Sequence, residues 1–322
     1  MIQKMVKLMD GTKLAVEIRE NVRRDVQNLA KTGIEVGLAL LLAGDNSASC
    51  SYFNATVKIS KSVGINVFEY KLPTNVSLNE ILNIVSSINA DERINGLLVL
   101  FPLPKRINPR RVVNAIVPDK DVDGLGSVSV GRLSAEESMF QLFGKEFSGS
   151  QHIVQKTADF SICTSQSFLP CTPFGVIRLL EYYGVDLVGK NAVVIGKSLA
   201  VGKPLSMMLL AKEATVSVCH KSTANLKDYL INADIVCSAT GMPGLITGDM
   251  IKEGAIVVDI GINVQQNGKI IGDIDFNSVA KKASLITPVP GGVGPVTIAT
   301  LLENTVRSAK SNALINNPLI LH

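Results

Sequence analysis

The chain has 322 residues, of which 46% are apolar and 19% are charged, and its formal net charge is +4. This length is sufficient for two domains with substantial cores. The small, scattered positive charge and the 5% aromatic content argue against a nucleic-acid-binding surface. The longest apolar runs are too short to cross a bilayer, so we expect no membrane segment.

The five cysteines form no C-x-x-C pair, and the three histidines are widely separated. This pattern lacks the spacing of metal ligands, so we expect no metal cofactor. Reduced thiols without a secretory signal favour a cytoplasmic location. An organelle is the alternative if a targeting segment has been removed.

The first part of the chain predicts alternating helices and strands. We expect helices from Asp10 to Gly33, over 46–63 and over 77–88, and strands over 36–43, 65–72 and 97–101. Such an order is typical of parallel strands joined by right-handed crossovers. Residues 134–168 show no steady period, and we interpret them as an irregular insertion or linker.

A second alternating series follows this segment and predicts a second α/β domain. We expect strands over 191–196, 215–220, 234–240, 255–264, 270–271 and 284–289, and helices over 174–184, 204–213, 226–233 and 296–310. The last helix is expected to pack back on the first domain.

A glycine-rich loop joins a predicted strand to a predicted helix in VVIGKSLAVGKPLSMMLL, residues 193–210. Gly196 ends the strand, Gly202 allows close helix–strand packing, and Pro204 suits a first helical turn. Helix N–H groups at such a loop can bind phosphate, so we predict a nucleotide site. An ordinary strand–helix turn is the alternative.

The end of the next predicted strand indicates which dinucleotide binds. NAD sites commonly have an acidic residue at this position, which accepts a hydrogen bond from the ribose 2′-hydroxyl. This chain has Lys221, Ser222 and Thr223 there instead, and Lys197 in the preceding loop adds a second cation. These residues favour the 2′-phosphate of NADP, although Lys221 could also be a solvated surface charge.

A second loop, rich in glycine and proline, lies in SLITPVPGGVGPVTIAT, residues 284–300. Glycine lets a ligand approach the backbone closely, and proline stiffens the segment. The loop predicts a ligand-binding wall, and a tight connection without a ligand is the alternative.

Seven segments in this order resemble the methylenetetrahydrofolate dehydrogenase/cyclohydrolase family. They are KDVDG (120–124), PCTP (170–173), VVIGKS with VGKP (193–204), CHKST (219–223), DIGIN (259–263), GD (272–273) and TPVPGGVGP (287–295). The resemblance runs from about residue 6 to residue 310. It implies an α/β fold of two domains, a catalytic domain and a Rossmann-like NADP-binding domain, with a cleft between them. The expected bounds are 1–150 completed by 296–322 for the catalytic folate domain, 169–295 for the NADP domain, and 134–168 for the insertion.

The resemblance also implies roles for individual residues. Tyr52 and Asp123 would be catalytic. Folate would contact Tyr52, Val99, Leu100, Phe101, Asp123, Pro290, Gly291, Gly292, Val293 and Gly294. NADP would contact Gly196, Lys197, Ser198, Lys221, Ser222 and Ile262. The Asp123 carboxylate can accept hydrogen bonds from a pterin, whereas Asp121 better suits a turn before Gly124.

Two positions depart from the family pattern. Thr56 occupies the position of the catalytic lysine, and Leu100 occupies that of its glutamine partner. Thr56 cannot carry a positive charge and is a poor proton acceptor. Lys58 and Lys61 lie about 200° and 140° around the helix from Thr56, so neither is an easy substitute.

Three functions therefore compete. We expect an NADP-dependent methylenetetrahydrofolate dehydrogenase of one-carbon metabolism and purine biosynthesis, with weak or absent cyclohydrolase activity. The alternative is a fully bifunctional enzyme that also makes 10-formyltetrahydrofolate, with Lys145 or Lys156 replacing the lost lysine. A second alternative is a folate- or nucleotide-binding relative without turnover. The resemblance implies a homodimer with a folate substrate.

Overall fold

The computed structural model describes residues 6–135, 167–265 and 268–316. Nearly all of the expected insertion at 134–168 lies outside these residues, as do Lys145 and Lys156. Among the described residues, no helix is long and apolar enough to cross a membrane.

The first domain is built on a three-stranded parallel sheet with the order β3-β2-β4. Its strands are β2 (Gly37–Ala43), β3 (Asn66–Leu72) and β4 (Gly96–Val99). Its helices are α1 (Gly11–Lys31), α2 (Ser47–Ser62), α3 (Leu78–Ala90), α4 (Pro109–Val113) and α5 (Ser127–Ala135). Every residue of β2, the central strand, and of β4 is buried, as expected for parallel strands covered by helices on both faces.

Local sequence signals set the starts of these helices. The Asp10 side chain accepts a hydrogen bond from the Thr12 amide, and Asn46 accepts one from Ser49. Ser77 and Glu80 form a capping box at the start of α3. The starts expected from the sequence are therefore correct to within about two residues.

The second domain contains a six-stranded parallel sheet with the order β1-β11-β8-β7-β5-β6. Its strands are β1 (Lys7–Leu8), β5 (Asn191–Ile195), β6 (Thr215–Cys219), β7 (Ile235–Ser238), β8 (Ile256–Asp259) and β11 (Leu285–Ile286). Its helices include α6 (Cys171–Tyr182), α7 (Gly202–Ala211), α8 (Leu226–Leu230) and α9 (Phe276–Val279). The chain moves from β5 to β6 on one side and then to β7 on the other. This change of direction opens a crevice at the carboxyl end of β5, where α/β proteins bind ligands.

Helix α10 (Val293–Asn316) joins the two domains by packing along α1 and α6. A buried ion pair links α6 to α10, with Arg178 Nη1 at 2.7 Å from Glu303 Oε2. Asn304 Nδ2 donates to the Val122 carbonyl at 2.9 Å, which ties α10 to the segment before Asp123. The last helix therefore packs on the first domain, as the sequence predicted.

Several elements are shorter than expected, such as the strand expected over 284–289, which is Leu285–Ile286. Three further differences lie near the space between the domains. The strand expected over 255–264 ends at Asp259, because its carboxylate accepts hydrogen bonds from the Gly261 and Asp273 amides and turns the chain. Residues 263–264 form a separate strand, β9 (Asn263–Val264), antiparallel to β10 (Ile270–Ile271). The strand expected over 97–101 ends at Val99, near Pro102, which has no amide hydrogen for the ladder.

The third difference is at the start of α10, where the expected loop ends earlier than the sequence suggested. Helix α10 begins at Val293, so Gly294 and Pro295 are helical. Proline is well tolerated in a first helical turn, because that amide has no intrahelical partner.

Candidate active site

A cavity of about 700 Å³ lies between the two domains. From the first domain it is lined by Asn46, Ser49, Tyr52, Val99, Leu100, Phe101 and Asp123. From the second domain and α10 it is lined by Ala200, Val201, Thr240, Gly241, Ile260, Ile262, Val293, Gly294 and Thr297, among others. The loops after β5 and β7 line part of it, as expected for a ligand site at the point where the strand order changes direction.

Asp123 is the carboxylate among the residues that line this cavity. It is half-buried and accepts hydrogen bonds from the backbone and the thiol of Cys171. Burial, and then the nearby charge of Asp121, raise the pKa of Asp123 to about 7, while the bonds from Cys171 pull it down in part. Asp123 can therefore change its charge near neutral pH.

Tyr52 lies in α2 and lines the same cavity. Burial raises the pKa of its hydroxyl well above the ordinary value, and the Asp123 charge adds to the rise. Tyr52 therefore keeps its proton at physiological pH and presents a ring and a donor to the cleft.

The segment before Asp123 is held rigidly. The buried Asp121 carboxylate accepts from the Leu125 and Gly126 amides and from Ser129 Oγ at 2.6 Å. The Lys120 ammonium donates to three backbone carbonyls at the end of α3, at 2.7 to 2.9 Å. Asp121 thus holds the turn, as expected, and Asp123 is left to face the cleft.

The wall that carries Thr56 and Leu100 is apolar. Thr56 is fully buried behind this wall and does not itself line the cavity, and its Oγ1 donates to the Tyr52 carbonyl at 2.8 Å. Leu100 is 3% exposed and lines the cavity. Lys58 points to solvent, and Lys61 pairs with Glu69 at 3.4 Å. No lysine from the described part of the chain lines this cavity.

The predicted nucleotide loop follows β5. Gly196 has a φ of 115°, which favours glycine, and a Cβ on Gly202 would lie 2.0 Å from the Gly196 carbonyl oxygen. Ser198 Oγ accepts from the Val201 and Gly202 amides at 3.1 and 3.3 Å. The Ser198 side chain therefore shapes the loop by accepting hydrogen bonds from the backbone amides of that loop.

The cationic residues predicted for the cofactor lie outside the cavity. Lys197, Ser198, Lys221 and Ser222 are exposed and do not line it. They follow β5 and β6, which pair in parallel with Ile195 opposite Cys219. The two lysine-bearing segments therefore leave the same edge of the sheet. Ile262, also predicted as a cofactor contact, lines the cavity and is 45% exposed.

The loop at 288–295 borders two neighbouring cavities. All of its residues line a second cavity of about 320 Å³, and Val293 and Gly294 also line the large cavity. The loop is therefore one wall of the smaller cavity, and it reaches the large cavity only where α10 begins. The folate contacts expected at Pro290, Gly291 and Gly292 stay a prediction.

The buried Asp259 and Asp273 hold the loops that follow β7 and β8, a role that the sequence analysis did not assign. Asp273 accepts from Ser238 Oγ and from the amide and hydroxyl of Thr240. Burial raises the pKa of Asp259 to about 6. These residues lie in the DIGIN and GD segments. Their carboxylates accept hydrogen bonds from backbone amides, and no local sequence pattern indicates those bonds.

The small residues at the crevice and the two lysine-bearing segments suit a dinucleotide with an additional phosphate. Among the described residues, no group of three or more His, Cys, Asp or Glu side chains is placed to hold a metal ion. The fold and the cleft therefore define a two-domain dinucleotide-dependent protein.

Comparison with known proteins gives the family. The catalytic domain of tetrahydrofolate dehydrogenase/cyclohydrolase matches residues 9–123, and the NAD(P)-binding domain of that family matches residues 170–313. The chain belongs to the tetrahydrofolate dehydrogenase/cyclohydrolase family. These matches confirm the predicted family, the two-domain α/β fold and an enzyme that uses NADP.

Individual relatives match over nearly their full lengths. The "Bifunctional protein FolD" of Thermodesulfovibrio yellowstonii is 43% identical over 303 residues, 94% of this chain and 96% of the relative. The crystal structure of the bifunctional enzyme FolD from Campylobacter jejuni is 44% identical, with a TM-score of 0.82, covering 95% of this chain and 99% of that one. A Trypanosoma brucei dehydrogenase-cyclohydrolase, complexed with NADP cofactor and inhibitor, is 31% identical, with a TM-score of 0.83, covering 96% and 99%.

Proposed function

We propose that this protein is an NADP-dependent 5,10-methylenetetrahydrofolate dehydrogenase. The observation that carries the proposal is a single cavity bounded by Tyr52 and Asp123 on one side and by the β5–β7 crevice on the other. The folate methylene carbon gives up a hydride and becomes the methenyl cation. When bound, NADP⁺ supplies the hydride acceptor.

The residues of the cleft contribute mainly by positioning. Ionised Asp123 accepts hydrogen bonds from the pterin amino group and ring N–H, which orients the folate. The Tyr52 ring packs against the bound folate, and the apolar Val99, Leu100 and Phe101 exclude water. Hydride transfer depends strongly on such alignment of the two reacting carbons.

Cyclohydrolase activity is the second candidate function. The names of the relatives, which call them bifunctional at 40–44% identity, support it better than our expectation of weak or absent hydrolysis. Hydrolysis requires proton transfer around an attacking water. In the described part of the cleft, Thr56 and Leu100 supply no such group, which supports a dehydrogenase that hydrolyses slowly.

Two assays on the purified protein test both functions. NADPH formation from methylenetetrahydrofolate measures the dehydrogenase, and decay of methenyltetrahydrofolate absorbance measures the hydrolase. We expect the first to be clear and the second to stay near the spontaneous rate. Hydrolysis well above that rate would establish the bifunctional enzyme, and ligand binding without turnover would leave only a binding protein.

A double variant tests the apolar wall directly. Thr56→Lys with Leu100→Gln should raise hydrolysis about 100-fold, because general acid–base catalysis contributes roughly 10²–10⁴-fold. Thr56→Val with Leu100→Met is the matched control, since it keeps the wall apolar. No gain in the first variant, with normal melting and normal NADPH formation, would show that these positions do not limit hydrolysis.

The remaining predictions belong to the same proposal. The homodimer is inferred from the family resemblance and the cytoplasmic location from the cysteine pattern; light scattering and cell fractionation test them. The roles of Lys197, Lys221 and Ser222 toward the 2′-phosphate are tested by the ratio of kcat/KM for NADP⁺ and NAD⁺, which should fall when Lys221 becomes alanine.

A further inference from the structure

The smaller cavity, of about 320 Å³, lies beside the folate cleft. Tyr52, Ile262 and Gly294 line both cavities, so the two spaces are neighbours. The loop at 288–295 forms one wall of the smaller cavity, and residues of α1 and α2 form the opposite wall. A ligand that leaves the cleft past Tyr52 therefore enters this space.

The wall formed by α1 carries a cation, Arg19. Arg19 is half-buried, and no described residue forms a hydrogen bond or an ion pair with it. The neighbouring acids of α1 are engaged elsewhere, since Glu17 accepts from the Tyr182 hydroxyl and Glu20 pairs with Arg23. A half-buried guanidinium beside apolar surface without an anion is suited to binding one.

The other charged residue of this cavity does not satisfy Arg19. Asp259 also lines the space, but its carboxylate accepts hydrogen bonds from the amides of Gly261, Asp273 and Ile274. Asp259 is therefore committed to the backbone. Most of the remaining lining is apolar, including Ala55 and Ile59.

We propose that Arg19 binds a carboxylate of the glutamyl tail of the folate substrate, so that the smaller cavity selects substrates with a charged tail. The inference rests on the proposed function, because it takes the pterin to lie at Asp123. The benzoyl part then passes Tyr52 over the apolar lining, and the glutamyl carboxylates reach α1. Arginine forms paired hydrogen bonds with a carboxylate, and these strengthen where water is partly excluded.

The test compares three substrates at saturating NADP⁺: methylenetetrahydrofolate, its triglutamate, and its glutamyl diamide, which keeps the shape but loses both charges. For the wild type, KM should be about tenfold higher for the diamide than for the monoglutamate, as loss of a charge-assisted hydrogen bond implies. The comparison needs no substitution, so it stands even if a variant misfolds.

Arg19→Gln should raise KM for the monoglutamate and the triglutamate about tenfold, and KM for the diamide less than twofold, with little change in kcat. Arg19→Lys, which keeps the charge without the paired donors, should fall between wild type and Arg19→Gln. Arg24→Gln is the matched control, because Arg24 lies on the same helix, is exposed and does not line the cavity. It should change neither constant.

The outcomes separate this inference from the proposed function. If the wild type reduces NADP⁺ normally but Arg19→Gln leaves every KM unchanged, the inference is wrong and the function stands. An equal rise in KM for the charged substrates and the diamide would indicate a packing role and would also overturn it. Absence of wild-type turnover with all three substrates would overturn both.

Discussion

At the scale of single residues, the proposed function makes Asp123 the group whose ionisation should matter most to activity. It faces the cleft, and burial together with Asp121 raises its pKa to about 7. In the proposed function, its ionised form accepts hydrogen bonds from the pterin, whereas its protonated form would accept fewer and add a donor that the pterin does not need. Substrate binding should therefore depend on pH near neutrality.

For the wild type, we predict that kcat/KM for the folate rises as the pH increases through about 7 and levels off above it. The sign follows from the carboxylate, which gains its charge as the pH passes its raised pKa. Asp123→Asn should have a lower and nearly flat profile, because the amide does not titrate. Rates measured from pH 5.5 to 8.5 at saturating NADP⁺ check this, and an unshifted inflection in the variant would assign it to another group.

The sequence indicated which family position Thr56 occupies, but it did not indicate the hydrogen bond that Thr56 makes in the structure. Its type and position were enough to predict the loss of a cation from the cleft. Its hydrogen bond to the Tyr52 carbonyl, within the same helix, could be anticipated only as a general habit of threonine. Arg19 was not recognised at all, because a cation on an amphipathic helix usually faces water, and only the placement of the 288–295 loop shows what it lines.

At the scale of elements, the turn between β5 and α7 has the least room for change. Gly202 opens α7 with its Cα hydrogen directed at the Gly196 carbonyl, where a Cβ would be 2.0 Å away. Gly131, in the middle of α5, is exposed and has no atom within 4 Å of the corresponding position. The two glycines can be compared directly. Gly202 is required because the Gly196 carbonyl oxygen leaves no room for a Cβ, whereas Gly131 has room for one.

We predict that Gly202→Ala lowers the free energy of unfolding by about 1–3 kcal/mol, the usual cost of overpacking, and weakens NADP⁺ binding at least about tenfold. Gly131→Ala should stabilise the protein by about 0.5–1 kcal/mol, because alanine favours the helix, and should leave binding unchanged. Denaturant titration and calorimetry with NADP⁺ measure these effects. Normal NADP⁺ affinity in Gly202→Ala would mean that the turn does not shape the cofactor site.

Elements with strong local signals were predicted well, and those set by distant partners were not. Strand β2 coincides with the buried run GLALLLA, and α3 starts at the capping box of Ser77, so both elements are set by local sequence. The break after Asp259 depends on amides at 273 and 274, which lie far along the chain. The start of α10 at Val293, inside the expected loop, is likewise not indicated by the glycines alone.

At the scale of the whole molecule, α10 packs on helices of both domains and so connects them. Its Glu303 pairs with Arg178 of α6, whose side chain is only 3% exposed. Burial lowers the pKa of the Arg178 guanidinium, while Glu303 opposes this effect. Removal of one partner from a buried ion pair lowers the free energy of unfolding, because the other charge is left buried without its counterion.

Glu303→Ala should therefore reduce the free energy of unfolding by about 3 kcal/mol, since it leaves a buried charge without its carboxylate. Lys227→Ala is the control, because Lys227 and its partner Asp249 are both well exposed, and it should have little effect. Urea denaturation of both variants measures the difference. Equal stabilities would show that solvent or another group compensates Arg178.

The short strand β1 has a consequence for the order of events during synthesis. Lys7 pairs with Leu285 and Leu8 with Ile286, so an early strand of the chain completes the edge of a sheet whose adjoining strand is made near the end. At typical translation rates, the ribosome needs roughly 15–60 s to travel between them. During that interval residues 7–8 wait without their partner strand. A fusion partner joined close to these residues would therefore disturb the NADP-binding domain, far away in the sequence, before it disturbed its own neighbours.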